Sequence, residues 1–372
     1  MTTDRPWLII AGGGTGGHLY PGLAIADALR SMQASFEVTV FGTPRPIDKK
    51  LVDERGYELV AQDVRPLPKR FWHYPGFLMA WRRSRKLAVD RFKARRPAVV
   101  LGLGGYASAP AVTAASRLGV PAALFNPDAT PGEANRRLAS RVDRIFTQWQ
   151  ETAEHFDRSP KVRCTGCPIR PDFARVNREM SIAALKLDPK KHTLLITGAS
   201  QGARSINAAV MELIDLWQMA LDWQIIHLTG KQDLKHCRTK YAEAGVSALT
   251  LGFTEHMPYC MAAADIVVSR AGASTIAEIM AMSVPSVLMP YPFDRHQHQM
   301  ANARILADGH AAAIVEDAQD VQTNARRLRK VLGELMNSEH RRHRMAQSAG
   351  AMGRHDAALV IAELLLEMVN PG

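Results

Sequence analysis

In the run Gly12-Gly13-Gly14-Thr15-Gly16-Gly17-His18, the bare backbone of five glycines and the ring of His18 could do chemistry. An apolar strand pattern, Trp7-Leu8-Ile9-Ile10, leads into them, and a helical pattern of Leu19, Leu23, Ala26 and Leu29 leads out. Glycines there let the chain turn sharply and present bare N–H groups at a helix N-terminus. That geometry binds phosphate or another oxygen-rich group. Gly12, Gly14 and Gly17 also fit the dinucleotide fingerprint, which further needs an acidic residue closing the second strand. The expected second strand, Phe36 to Phe41, runs into Gly42-Thr43 with no carboxylate to take a ribose. A nicotinamide dehydrogenase is therefore the weaker reading. His18, directly after the glycines, points to chemistry beyond phosphate cradling.

Two further strand–glycine–helix openings follow. Leu194-Leu195-Ile196-Thr197 enters Gly198-Ala199-Ser200-Gln201-Gly202-Ala203, and Asp265 to Arg270 enters Ala271-Gly272-Ala273-Ser274-Thr275. Ser274 or Thr275 is expected to cap the helix that carries Glu278. Glu278, one turn on, can accept both hydroxyls of a ribose, or serve only as a capping partner. All three openings are expected to line one cleft. Cys164-Thr165-Gly166-Cys167 has metal or redox spacing, but no second pair accompanies it, and it reads as incidental. No Asp-x-Asp metal motif occurs in the sequence.

The elements that must position these residues alternate from end to end, the pattern of doubly wound parallel sheets. Strands are expected near residues 7–11, 36–41, 98–101, 121–125 and 143–147, then 193–197, 224–228, 248–251, 265–268 and 285–289. The expected class is α/β, with two Rossmann-like doubly wound domains facing across a cleft. The boundary falls near Arg170, giving domains 1–170 and 171–354. The last helix, Asp356 to Val369, is apolar at Leu359, Ala362, Leu366 and Val369, and is expected to rejoin the first domain as residues 355–372. The chain of 372 residues, 47% apolar, can fill two cores. No stretch approaches the ~20 apolar residues of a membrane span, and the opening residues do not read as a signal peptide. Four cysteines make no disulfide framework, which fits a reducing cytosol. The net charge of +11 asks for an anionic partner.

Taken together, Gly13-Gly14-Thr15-Gly16-Gly17-His18 with Pro21-Gly22, Gly104-Gly105-Tyr106, Ser200-Gln201-Gly202-Ala203 with Asn207, and Arg270 to Thr275 with Glu278 resemble the MurG family, in order and spacing. Pro290-Tyr291-Pro292, His298-Gln299 and Asn302-Ala303 continue the match over nearly the whole chain. MurG proteins are GT-B glycosyltransferases that add N-acetylglucosamine to lipid I in peptidoglycan synthesis. The resemblance implies a UDP-GlcNAc donor held mainly by the C-terminal domain, an acceptor and membrane side on the N-terminal one, and an inverting transfer with no cofactor or active-site metal. It implies that Thr15, Gly16 and Gly17 meet the donor's sugar and diphosphate side, and that Arg170 and Ser200 donate to the diphosphate. It places Thr254 at the uracil, Ala273, Ser274, Thr275, Ile276, Ala277 and Glu278 at the nucleoside, and Gln299 on sugar hydroxyls. His18 becomes the candidate general base, with a loop-bonding structural role as its rival. Two positions depart from the family pattern. Phe125-Asn126-Pro127-Asp128 stands where His-Glu-Gln-Asn is common, leaving Asp128 as a donor-site residue that accepts rather than donates. Gly166-Cys167-Pro168 replaces Gly-Asn-Pro.

Lys69 and Arg70 precede Phe71-Trp72-His73-Tyr74, and Arg82, Arg83, Arg85, Lys86, Arg91, Lys93, Arg95 and Arg96 crowd the helix that follows. Phe77, Trp81, Ala88 and Phe92 can share one of its faces. Such a helix can lie on an anionic bilayer or be a solvated helix whose stripe is core. A lipid-linked acceptor favours the bilayer, at the cytoplasmic face, and no nucleic-acid module is recognisable. The expected function is transfer to the muramyl sugar of a polyprenyl-diphosphate-linked peptide. The alternatives are a transferase with another acceptor, such as a diacylglycerol, and a non-catalytic UDP-sugar-binding protein.

Overall fold

A computed structural model describes residues 5–14, 16–32, 36–68, 70–198, 202–294 and 296–369. The chain divides into two compact units, residues 1–170 with 355–372, and residues 171–354.

Unit 1 begins with β1 (Trp7–Ala11), α1 (Gly16–Ser31), β2 (Glu37–Gly42), α2 (Pro46–Asp53) and β3 (Glu58–Ala61). It continues through α3 (Tyr74–Ala94), β4 (Val99–Gly102), α4 (Gly105–Arg117), β5 (Ala122–Asn126), α5 (Glu133–Leu138), β6 (Arg144–Thr147) and β7 (Val162–Cys164). Its seven strands are parallel, in the order β3-β2-β1-β4-β5-β6-β7. The order reverses between β1 and β4, where parallel sheets open a crevice at the strands' carboxyl ends. Helices cover both faces, so central strands are apolar on both sides, and Trp7 to Ala11 are all buried. The indole of Trp7 donates to Thr39 Oγ1 at 2.8 Å, which satisfies its one polar group.

Unit 2 comprises α6 (Arg178–Ala184), β8 (His192–Thr197), α7 (Arg204–Met211), α8 (Ile214–Met219), β9 (Trp223–Leu228), α9 (Leu234–Glu243), β10 (Ala248–Leu251) and α10 (Met257–Ala263). Then come β11 (Ile266–Ser269), α11 (Ala273–Ala281), β12 (Ser286–Leu288), α12 (His298–Asp308), β13 (Ala312–Ile314), α13 (Val321–Met336) and α14 (Glu339–Met352). The six strands are again parallel, ordered β10-β9-β8-β11-β12-β13, and reverse between β8 and β11.

The last helix, α15 (Ala357–Val369), packs on α1 in unit 1. Its buried residues are Ala357, Ile361, Ala362 and Leu365, whereas Leu359 is exposed. The buried stripe is therefore turned from the one expected, because Ile361 and Leu365 extend the spacing set by Ala357. In α3 the core positions are Ala80, Ser84, Ala88 and Phe92. Phe77 and Trp81 stand at the rim instead, half-buried.

Candidate active site

In unit 1 the carboxyl ends of β1, β2, β4 and β5 bring four segments together. The glycine loop after β1 is closed by a residue the sequence reading passed over, Asp48 of α2. The Asp48 carboxylate accepts from Gly14 N at 3.0 and 2.9 Å, from Thr43 N at 2.8 Å and from Thr43 Oγ1 at 2.7 Å. Gly13 has φ 151°, and a Cβ there would lie 2.2 Å from Asp48 Oδ2, so only glycine fits. Arg45 donates to Gly14 O at 2.7 Å from the other side. A Cβ on Gly105, the first residue of α4, would stand 3.8 Å from His18 Nε2, which places the imidazole beside that helix N-terminus. Burial pushes the His18 pKa below its ordinary 6.5, opposed by the carboxylates of Asp128 and Asp48. His18 is thus a neutral imidazole at neutral pH, the form a general base requires.

The altered segment 125–128 is tied down by amides. Asn126 Nδ2 donates to Asp128 O at 2.6 Å, and Asn135 Nδ2 donates to Asn126 Oδ1 at 2.9 Å and Phe125 O at 3.2 Å. The backbone turn is thereby fixed with Asp128 in the electrostatic surroundings of His18. Arg170 is buried in this unit, its guanidinium 4.9 Å from the ring centre of Tyr20.

Unit 2 contains a cleft of about 550 Å³ at the carboxyl ends of β8, β11, β12 and β13, with Gly198, Gly202, Arg270, Thr275, Tyr291 and Gln299 among its walls. Its floor is a polar network. Arg270 donates to Asp317 Oδ2 at 3.0 Å, to Ser205 Oγ at 2.7 Å and to the carbonyls of Met289 and Pro290 at 3.0 and 3.2 Å. Asp317 also accepts from Ser205 Oγ at 2.5 Å, from Asn324 Nδ2 at 2.8 Å and from Gln319 N at 3.0 Å. Burial raises the Asp317 pKa, but these donors outweigh it and hold the carboxyl below 3.8. The guanidinium lies 5.7 Å from the ring centre of Tyr291, which meets Phe293 edge-on at 5.6 Å. Both aromatics are exposed. Gly202, at φ 73°, passes so close to β9 that a Cβ would lie 2.3 Å from Thr229 O.

Two models of one family match the chain, the N-terminal domain of glycosyltransferase family 28 over residues 8–147 and its C-terminal domain over 193–361. A Desulforamulus reducens protein named UDP-N-acetylglucosamine–N-acetylmuramyl-(pentapeptide) pyrophosphoryl-undecaprenol N-acetylglucosamine transferase is 34% identical over 94% of this chain and 95% of its own. A Sorangium cellulosum protein of the same name is 39% identical over 98% of this chain and 88% of its own. The chain belongs to glycosyltransferase family 28. The crystal structure of Acinetobacter baumannii MurG superposes with TM-score 0.76 at 24% identity, covering 97% of this chain and 99% of that one. Its likeness places the family 28 chain in the GT-B fold.

Within this family 28 chain the expected site residues fall into distinct groups. Thr15 and Ser200 lie outside the described residues. Gly16 and Gly17 form the first turn of α1, with Gly17 exposed. Thr275 and Gln299 both line the unit 2 cleft. Gln299 Oε1 accepts from Ala271 N at 3.2 Å and Tyr291 N at 3.0 Å, so this oxygen braces two loops. Sugar reading would fall to the amide nitrogen. Thr254 follows β10 and accepts from His256 N at 3.0 Å. Ile276 and Ala277 are buried within α11, and Ile276 N already donates to Gly272 O at 3.0 Å.

The capping expectation for α11 is corrected. Gly272 is the N-cap, with no side-chain cap bond, and Ala273, Ser274 and Thr275 already lie inside the helix. Glu278 sits in the second turn, too far along to close a capping box. The residues missed from sequence, Asp48 and Asp317, reach back from later elements. The Gly-Thr-x-Arg-x-x-Asp run from Gly42 to Asp48 was the available signal for the first.

Proposed function

We infer that the chain transfers N-acetylglucosamine from UDP to the muramyl sugar of an undecaprenyl-diphosphate-linked pentapeptide, with inversion at the anomeric carbon. The observation that carries this reading is the near full-length match to relatives bearing that name. In this reading unit 2 holds the donor. Thr275 and the loops of the β8–β11 crevice meet the nucleotide, Glu278 takes the ribose, Gln299 the sugar, and Ser200 the diphosphate. Unit 1 presents the acceptor beside His18. The acceptor hydroxyl oxygen bonds to the anomeric carbon, its proton passes to His18, and the bond from that carbon to the diphosphate oxygen breaks to release UDP. Neutral His18 suits this task because the proton moves as the bond forms.

The lipid-linked acceptor requires the enzyme to work at a bilayer, which we assign to the cytoplasmic face. Among the described residues no helix is long and apolar enough to cross a membrane. Surface docking is supported by Leu67, Trp72, Tyr74, Leu78 and Met79, all exposed around the start of α3. An adjoining cleft of about 520 Å³ is lined by Phe77, Trp81, Leu78 and Leu138, with Arg65, Arg137 and Arg141 at its edge. Apolar side chains rimmed by cations are what an anionic interface binds.

Purified chain mixed with UDP-GlcNAc and lipid I should release UDP only when lipid I is present, and make a disaccharide-linked lipid. Release with a diacylglycerol in place of lipid I would favour the alternative acceptor. Donor binding without release under either condition would leave a sugar-nucleotide-binding protein.

A further inference from the structure

Asp48 is fully buried, yet the proposed chemistry has given it no task. A glycine-rich loop opening a helix ordinarily offers its N–H groups to a bound anion. Here the chain supplies that anion itself. The carboxylate takes the N–H of Gly14 and both donors of Thr43, and the close approach at Gly13 shows the loop moulded onto it. Replacing it with an external phosphate would strand a buried charge or set two anions side by side. His18 follows four residues after Gly14, in the first turn of α1.

We propose that Asp48 is a positioning residue for His18, an internal anion that locks the glycine loop and holds the imidazole where the acceptor hydroxyl must lose its proton. The inference rests on the transfer reading above and adds a residue to it. Among the described residues the carboxylates of Asp128, after β5, and Asp48 of α2 act on His18, while Arg45 holds the Gly14 carbonyl, the Tyr106 hydroxyl of α4 lies 3.4 Å from a Cβ on Gly14, and Arg170 stacks on Tyr20. As His18 accepts the proton it becomes imidazolium, and a fixed negative charge nearby stabilises that product. The sign follows: loss of the carboxylate makes His18 a weaker base.

The test uses the full chain with Asp48→Asn, which keeps size and removes charge, beside Asp48→Ala and His18→Gln. Turnover, donor KM, the pH profile of kcat/KM and histidine titration by 15N NMR are measured, with the His18 resonance assigned by its loss in His18→Gln. Asp48→Asn should lower kcat on the order of 10- to 100-fold while the donor KM stays within about twofold. The His18 titration and the acid limb of the profile should both move to lower pH. Unchanged kcat in folded Asp48→Asn would overturn the proposal. So would activity lost only in proportion to the folded fraction, with the His18 titration unmoved. If the unmodified chain releases no UDP with lipid I, the transfer reading itself fails, and the NMR comparison still decides whether Asp48 governs His18.

Discussion

Glu278 shows how a single carboxylate changes meaning once its helical position is known. It stands in the second turn of α11, and Gly272 caps that helix without it. Its removal should therefore cost the helix no capping bond. If it accepts the ribose hydroxyls, charge-assisted bonds of roughly 1.5–3 kcal/mol are lost, and Glu278→Ala should raise the UDP-GlcNAc dissociation constant ~10- to 100-fold. Calorimetry on folded protein checks this. A donor lacking the ribose 2′-hydroxyl should bind weakly to the unmodified chain and lose little more on mutation. Equal losses for both donors would remove the ribose assignment. Residue types alone singled out His18 and Thr275, because each follows a glycine turn that marks a strand end, whereas Gln299 has no such turn beside it and was named through the resemblance. Asp48 and Asp317 were not legible that way. Each reaches its partner across the end of a strand; the Gly42–Asp48 run is a local signal for the first, and nothing local signals the inward turn of Asp317.

Between elements, a buried histidine ties three of them and sets a pH response. His227 of β9 has Nδ1 3.1 Å from the Tyr241 hydroxyl and Nε2 3.1 Å from Asn207 Oδ1. The Asn207 amide nitrogen already donates to Thr229 O and Asp233 Oδ2, each at 2.8 Å, so its oxygen must accept. Nε2 therefore carries the proton, and Nδ1 accepts from Tyr241. Burial pushes the His227 pKa down to about 3. The unfolded chain takes up this proton near pH 6.5 and the folded one does not, so its contribution is full above 6.5 and declines as pH falls towards 3. Denaturant unfolding should show unit 2 weakening over that window, and His227→Gln should flatten the slope. α3 has its own test. Replacing Arg82, Arg83, Arg85 and Lys86 with Gln should reduce binding to anionic vesicles, most clearly at low salt, and spare activity on a short soluble acceptor. Unchanged vesicle binding would sink the role of these cations. The strands that sequence patterning overlooked, β3, β7 and β13, are short edge strands, and β3 and β7 carry exposed polar residues. An edge strand has one neighbour and needs no continuous apolar run. The central strands, sealed on both faces, were legible for the opposite reason.

At the scale of the whole chain, the two sheets share a plan but not a closure. Unit 1 is completed by residues from the far end of the sequence, where α15 covers α1. Deleting residues 357–369 should uncover the apolar side of α1 and strip hydrogen-exchange protection from β1 and β4. Protection in β8 and β11 should persist. Equal loss in both sheets would contradict this division. The same feature dictates an order of birth. A ribosome adding ~5–20 residues per second needs on the order of ten to forty seconds to make all of unit 2 after unit 1 has emerged. Throughout that interval α1 lacks its cover, and the first unit made is the last to be finished. A message truncated near its end would then yield a second unit able to fold beside a first unit that never matures, leaving apolar surface open to chaperones and proteases.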